Sequence, residues 1–181
     1  MHKSICRTFA KLSTTIAAVA LVFIFAITGP AMSAKEKQAN PAQDDKLQSE
    51  FLVDLTLEAQ TPQNLGSTRD GRIIVPVSGG TFAGPRFKGT IIPPGGDWIV
   101  QRPDGSRVLD VRILLQTDDG QKIYVSWRGI ASASPGGALN ARILPFFETA
   151  AAKYAWLNNV VAVGVYRPDL GKIAYRIYRI L

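Results

Sequence analysis

A pair of bent β-strands is predicted by residues 79–98, GGTFAGPRFKGTIIPPGGDW. Gly79-Gly80 can adopt the positive φ of a tight hairpin, and Gly84, which precedes a proline, favours extended backbone and a corner. A second break at Pro93–Gly96 ends the run, and the strand segments between the breaks are 81–83 and 86–92. Breaks of this kind curl a β-sheet towards closure, so we expect a sheet with an interior.

Turn signals separate β-rich segments along the rest of the chain. Asp104-Gly105 and Asp119-Gly120 each stand between two such segments and predict hairpins, whereas residues 60–69 and 131–140 predict longer loops. The sequence therefore indicates one all-β domain, a single antiparallel meander of about eight to ten strands. The strand pattern fits a barrel and a sandwich equally well. The other predicted strands are 51–58, 72–78, 98–102, 107–117, 122–128, 143–147, 160–166 and 172–180, the last an edge strand protected by its arginines, with a short helix at 150–157.

Three segments in this order resemble a known bacterial family, the domain of unknown function 3237. They are the quoted residues 79–98, DVRILLQTDDGQKIYV from Asp110, and FFETAAAKYAWLNNVVAVGVYR from Phe146. The resemblance implies a small closed β-barrel of the calycin or lipocalin type. It brings no established activity with it.

The N-terminal segment has the pattern of a secretory signal peptide. Three basic residues precede an apolar run at 16–27, and small residues follow at 31–34. The run is shorter than the roughly 18 to 20 residues that cross a bilayer, which favours cleavage over an uncleaved membrane anchor. We therefore expect export to the periplasm or beyond the cell, with a signal peptide at 1–34, a flexible tether at 35–46 and the barrel domain at 47–181.

Cleavage of this leader would remove both His2 and Cys6, which are the only histidine and the only cysteine. The domain would then lack Ser-His-Asp and Cys-His catalysis, disulfides, and histidine or cysteine zinc sites, and we expect neither metal nor cofactor. Three of the 21 basic residues and none of the 14 acidic residues lie in the leader, so its loss lowers the net charge from +7 to +4. This mild excess does not predict a nucleic-acid partner, and the oligomeric state stays open.

Polar residues on the strand 107–117 form the first candidate site. Asp110 and Arg112 share its polar face at i and i+2, and two interpretations stand. On an outer face they form a surface ion pair worth under about 1 kcal/mol. On an inner face they could hold the polar end of a ligand, because partly buried charge-assisted hydrogen bonds are strong.

Aromatic residues with polar neighbours form two further candidates. Trp98 either caps the core or forms one wall of a ligand mouth, with Asp97 as a hydrogen-bond acceptor. Near the predicted helix, Trp156 either belongs to a plug that closes the barrel or faces a cavity together with Glu148 and Asn158.

The remaining basic candidate is Arg86, which follows the Gly-Pro corner. That corner fixes its backbone direction, and its guanidinium fork suits a carboxylate or phosphate.

Three functions remain open at this stage: a module that binds a small apolar or aromatic molecule, a cofactor-free isomerase, cyclase or hydrolase, and a packed structural barrel. In an enzyme, proton transfer would fall to Asp97, Asp110, Glu148 or a tyrosine, and we expect Glu148 or Asp97 to line the cavity within reach of an arginine. Asp110 suits anchoring better, because the neighbouring Arg112 would lower the pKa of its carboxyl group. The predicted ligand-binding residues are Arg86, Trp98, Asp110, Arg112, Trp156 and Asn158.

Overall fold

The computed structural model describes residues 46–66, 71–133 and 139–181. The predicted signal peptide, nearly all of the predicted tether and the centre of the 131–140 loop lie outside the described residues. No helix in the described part of the chain is long and apolar enough to cross a membrane. The strands are β1 Ser49–Ala59, β2 Gln63–Asn64, β3 Arg72–Ala83, β4 Lys88–Gln101, β5 Arg107–Thr117, β6 Lys122–Ala133, β7 Leu139–Glu148, β8 Ala162–Tyr166 and β9 Ala174–Ile180, and a 3₁₀ helix spans Ala152–Asn159.

The strands form a closed antiparallel barrel. Each strand from β3 to β8 pairs with the next one in the chain, β9 pairs with β1, and β1 pairs back to β3. The two-residue strand β2 adds to β3 outside this ring. The predicted all-β meander barrel with one short helix is confirmed, whereas the edge-strand prediction for β9 is wrong, because β1 and β8 flank it on both sides.

The predicted hairpin at Gly79-Gly80 is also wrong, since β3 runs through both glycines. Its register with β4 shifts between Pro76 and Thr81, where the strand bends. Gly80 has φ +137°, and a Cβ atom there would lie 2.1 Å from the Thr56 carbonyl oxygen. The glycine therefore allows β1 and β3 to approach closely where the barrel closes.

The turn between β3 and β4 lies instead at the Gly-Pro corner. There the Gly84 amide donates a hydrogen bond of 2.9 Å to the Phe87 carbonyl. Pro93–Gly96 do not end a strand, because β4 continues through them, and its register with β5 shifts between Ile92 and Gly96. The predicted breaks at Gly79-Gly80 and at Pro93–Gly96 are thus bends within long strands, which is how one sheet curls into a barrel.

The inward face of β5 shows how the core is built. Its bounds match the predicted strand, and its inward side chains are at most 4% exposed. The alternate side chains, including Asp110 and Arg112, consequently face outward. The buried residues of β5 are Leu109, Val111, Ile113, Leu115 and Thr117.

The 3₁₀ helix closes one end of the barrel as a plug. Leu157 and Tyr154 are buried, and the Tyr154 ring packs 6.4 Å from the Phe87 ring. Asp119, in the β5–β6 turn, accepts hydrogen bonds from Lys153 Nζ at 2.6 Å, Thr117 Oγ1 at 2.5 Å and the Tyr154 hydroxyl at 3.0 Å. The Lys153 hydrogen bond, ahead of the one from Thr117, lowers the pKa of Asp119 to about 2. The plug is thus fixed to the barrel wall.

Candidate functional site

A cavity of about 530 Å³ opens at the end of the barrel opposite the plug. The C-terminal ends of β1 and β4, the N-terminal ends of β3 and β5, and residues just before β9 surround it. This volume lies within the roughly 300 to 1,000 Å³ of small-molecule sites, so this end of the barrel is not solidly packed. Its apolar walls include Leu57, Val75, Val77, Ile99, Val111 and Ile173.

Asp97 places a carboxyl group inside this apolar cavity. The alternation of β4 turns Asp97 and Ile99 inward and Trp98 outward. Asp97 pairs across the sheet with Val111, and Val111 pairs with Trp127, so these three residues form one row across β4, β5 and β6. The carboxyl group and the indole therefore share the same inner face.

Burial is the main reason that the pKa of Asp97 rises to about 6. The Asp110 amide donates a hydrogen bond of 3.0 Å to Asp97 Oδ1, which opposes the rise, and the Asp110 charge adds to it. No cation contributes to the shift. One oxygen is thus fixed by the backbone, while Oδ2 has no hydrogen-bond partner among the described residues. Such a group can hold or release a proton near neutral pH.

Two aromatic side chains with polar atoms complete the inner part of the cavity. The Tyr175 and Trp127 rings pack 5.8 Å apart, and both residues line the cavity. Burial, followed by the charge of Asp97, raises the pKa of Tyr175 well above its usual value, so its hydroxyl stays protonated. Trp127 Nε1 is buried without a hydrogen-bond partner in the described part of the chain.

Sequence reasoning missed both residues as site residues. The alternation of Ile123, Val125 and Trp127 along β6 was the available signal that Trp127 faces inward. Tyr175 gave no comparable signal, because β9 was predicted to be an edge strand. Only the ring of strand pairings brings β9 opposite β5 and β6.

Arg107 provides the arginine at the cavity mouth. Its side chain is exposed, and its Nε donates a hydrogen bond of 3.0 Å to Gln101 Oε1. Asp97 is the predicted site residue that lines this cavity, and Arg107 lines the same cavity.

Four other predicted residues lie on the outer surface instead. Asp110 forms an ion pair with Arg112 at 3.4 Å, and both border an outer groove of about 440 Å³ that also contacts Glu148. The Arg112 guanidinium lies 5.4 Å from the Trp98 ring centroid, which places Trp98 on the same outer side. Asp110 and Arg112 thus fit the interpretation of an outer-face ion pair, and Glu148 is exposed.

The remaining predicted residues lie at the plugged end. The Arg86 guanidinium stacks 3.6 Å from the Trp156 ring centroid, and the Trp156 ring contacts Phe87 edge-on at 6.1 Å. The Asn158 amide makes two hydrogen bonds with the Thr149 backbone, at 2.8 and 3.0 Å. These side chains hold the plug and its loop and do not line the cavity.

The family described as "protein of unknown function (DUF3237)" matches residues 47–180 of this sequence. The chain belongs to this family. The resemblance found in the sequence is confirmed, and the matched residues coincide with the barrel.

Similar proteins include one that is named as an enzyme. The hydroalkoxylation enzyme phnH of Penicillium herquei is 36% identical over 132 residues, which cover 71% of this chain and 80% of that protein. A crystal structure of an enzyme from the same organism is 30% identical with a TM-score of 0.62, over 75% of this chain and 95% of the other. A β-barrel-like protein of Acinetobacter baumannii is 34% identical with a TM-score of 0.71, over 80% and 100%.

Proposed function

We propose that this DUF3237 protein is a cofactor-free enzyme that moves a proton on a small, largely apolar molecule held in the barrel cavity. The observation that carries this proposal is the Asp97 carboxyl group, partly buried among apolar walls with a pKa raised to about 6. A general acid or base is most efficient when its pKa lies near the working pH. Burial without a neighbouring cation is the usual way in which proteins produce such a carboxyl group.

The geometry of Asp97 fits both directions of proton transfer. Oδ1 accepts the Asp110 N–H at 3.0 Å, which fixes the carboxyl plane, and Oδ2 is left for a substrate. At neutral pH the group is mostly ionised and accepts a proton. Once protonated, it donates that proton to a second atom of the same substrate.

The relative named as a hydroalkoxylation enzyme supports a particular reaction class for this site. Addition of an alcohol O–H across a C=C bond forms one C–O and one C–H bond and breaks the O–H and π bonds. The reaction therefore needs neither oxidant nor reductant. In this scheme the Asp97 carboxylate takes the hydroxyl proton, and the resulting acid delivers a proton to carbon.

A binding module is the second candidate, favoured by the mostly apolar cavity walls. In that case the cavity retains a ligand without converting it, and Asp97 serves only as a hydrogen-bonding group. The two candidates share the site and differ in turnover.

The test begins with native mass spectrometry of the purified protein to identify a retained ligand. That ligand, and alkenyl phenols such as 2-allylphenol, are then incubated with the protein in D2O, where addition across the double bond places deuterium on carbon. We expect Asp97→Asn to lower turnover by about 10²- to 10⁴-fold. The matched control is Asp118→Asn, in the β5–β6 turn at the plugged end, which should leave turnover unchanged.

Unchanged turnover in Asp97→Asn would remove the assignment. Glu148→Gln belongs in the same series, because Glu148 is the other acid predicted from the sequence. A loss of turnover in Glu148→Gln alone would move the chemistry to the outer groove. A retained ligand that is never converted would favour the binding module.

A further inference from the structure

Tyr175 brings an unused hydrogen-bond donor into the cavity. Its side chain lines the cavity and is 6% exposed, and no described residue hydrogen-bonds its hydroxyl. The ring packs against the rings of Trp127 and Tyr166, whose centroids lie 5.8 and 5.9 Å away. A rigid donor without a partner inside a cavity is a polar contact available to an occupant.

Trp127 adds a second unused donor to the same wall. Its side chain is 2% exposed, and its Nε1–H is buried without a hydrogen-bond partner in the described ranges. Buried polar groups are nearly always hydrogen-bonded, so an orphaned donor beside a cavity calls for an explanation. An indole N–H only donates, and its natural complement is therefore an oxygen acceptor.

The charges around the cavity select among possible acceptors. Asp97, mostly ionised at neutral pH, lies close enough to Tyr175 for its charge to contribute to the raised pKa of the tyrosine. Glu58, Arg107 and Lys172 also line the cavity, but all three are exposed to solvent, which screens their charges. Beside Tyr175, a ligand carboxylate or phenolate would be repelled by Asp97 and poorly solvated by the apolar walls. A neutral oxygen meets neither penalty.

We propose that the Tyr175 hydroxyl, with Trp127 Nε1–H beside it, is the polar end of the ligand site. The cavity therefore selects neutral, largely apolar molecules that carry an accepting oxygen, with a ketone carbonyl as the strongest case. This inference rests on the proposed use of the cavity as the ligand site. In an enzyme, the same donors would stabilise negative charge that develops on this oxygen while Asp97 moves the proton.

The test compares two probes of nearly equal shape. The first is 2-acetylnaphthalene, and the second is 2-isopropenylnaphthalene, in which a =CH2 group replaces the carbonyl oxygen. Their dissociation constants are measured with the purified protein by calorimetry. We expect the ketone to bind about three- to tenfold more tightly, because one net hydrogen bond to a neutral acceptor is at stake. A third probe, 2-naphthoate, should bind more weakly than the ketone.

Variants assign the preference to the two donors. Tyr175→Phe keeps the packed ring and removes only the hydroxyl, so the ketone should lose its advantage while the hydrocarbon binds as before. Trp127→Phe should reduce the advantage in the same direction. The matched control, Tyr124→Phe, changes a tyrosine of the outer groove and should retain the full preference. The comparison of probes on the unaltered protein holds even where a variant folds poorly.

Equal binding of the two naphthalenes, tighter binding of 2-naphthoate, or a preference that survives in both Tyr175→Phe and Trp127→Phe would overturn the inference. Absence of binding by either naphthalene up to its solubility limit would also contradict it. None of these readouts requires turnover. Failure of this inference is therefore distinct from a failure of Asp97 as the proton carrier.

Discussion

At the scale of single residues, the chemistry of this barrel depends on a carboxyl group in an unfavourable place. The strand alternation of β4 turns Asp97 into an apolar cavity, and the Asp110 amide compensates only one of its oxygens. A group with this environment destabilises the folded protein in its charged form. Such local costs are typical of positions kept for function rather than for stability.

The cost predicts an unusual pH dependence for the free energy of unfolding. The folded-state pKa of Asp97 is about 6, and its ordinary value is 3.8. The protonated carboxyl group therefore favours the folded state; this contribution is fully present below pH 3.8 and is lost as the pH rises through 6, where the charged form becomes a cost. Asp97→Asn should therefore become more stable than the unaltered protein across this window, by up to about 3 kcal/mol at pH 7. Urea unfolding at a series of pH values measures the difference.

The matched comparison for that series is Asp104→Asn. Asp104 accepts hydrogen bonds from the Ser106 hydroxyl and amide, and these lower the pKa of its carboxyl group. Its contribution to stability is present above pH 3.8 and is lost at lower pH, so this substitution should act with the opposite sign. A difference between Asp97→Asn and the unaltered protein that does not change between pH 4 and pH 7 would rule out a raised pKa.

At the scale of elements, the bend in β3 decides whether the sheet can close. The pairing of β1 with β3 runs through Gly80, which pairs with Leu57. A Cβ at Gly80 would meet the Thr56 carbonyl oxygen at 2.1 Å, far below any tolerated contact, and φ there is +137°. The clash is with backbone, so it cannot be relieved by a rotamer change.

We expect Gly80→Ala to destabilise the barrel by at least about 2 kcal/mol, because backbone strain and loss of strand pairing add. Thermal unfolding followed by circular dichroism measures the effect. Gly105→Ala is the control, since Gly105 has φ +81° with no atom within 4 Å of the added Cβ, and it isolates strain from the clash. Equal destabilisation by the two substitutions would show that close approach of β1 and β3 is not the cause.

At the scale of the whole molecule, the two ends of the barrel differ. The 3₁₀ helix Ala152–Asn159 closes one end, where Leu157 is completely buried, and the cavity with Asp97 opens at the other. An eight-stranded barrel is just wide enough to be filled by side chains or to hold one small ligand. In this barrel, side chains fill the end closed by the 3₁₀ helix, and the other end holds a cavity large enough for one small ligand.

We propose that the protein works outside the cytoplasm, because residues 1–34 have the charged, apolar and small-residue order of a signal peptide. Mass spectrometry of the protein isolated from its native source should show an N-terminus shortly after Ser33 or Ala34, in a periplasmic or extracellular fraction. An intact Met1 in the membrane fraction would indicate an uncleaved anchor. An intact cytosolic protein would contradict export altogether.

Much of the architecture could be predicted from local patterns. Asp-Gly turns, alternation along 107–117 and the Gly-Pro corner each depend on neighbouring residues, and the structure agrees with them. The hairpin at Gly79-Gly80 and the strand end at Pro93–Gly96 were wrong for a shared reason. Glycine and proline mark places where backbone departs from a flat strand, but the same residues serve a turn or a bend within one strand.

The sequence by itself determined the strands, their alternating faces and the family, because these follow from backbone sterics and from side chains close in the chain. Of Asp97, Trp127 and Tyr175, the sequence predicted only Asp97 as a site residue, because Asp97 directly follows the Pro93–Gly96 bend. Tertiary structure alone decided that Asp97, Trp127 and Tyr175 line one cavity while Asp110, Arg112 and Glu148 share an outer groove. The physical reason is that closure joins strands far apart in sequence, and the pKa of a buried carboxyl group depends on what closure places around it.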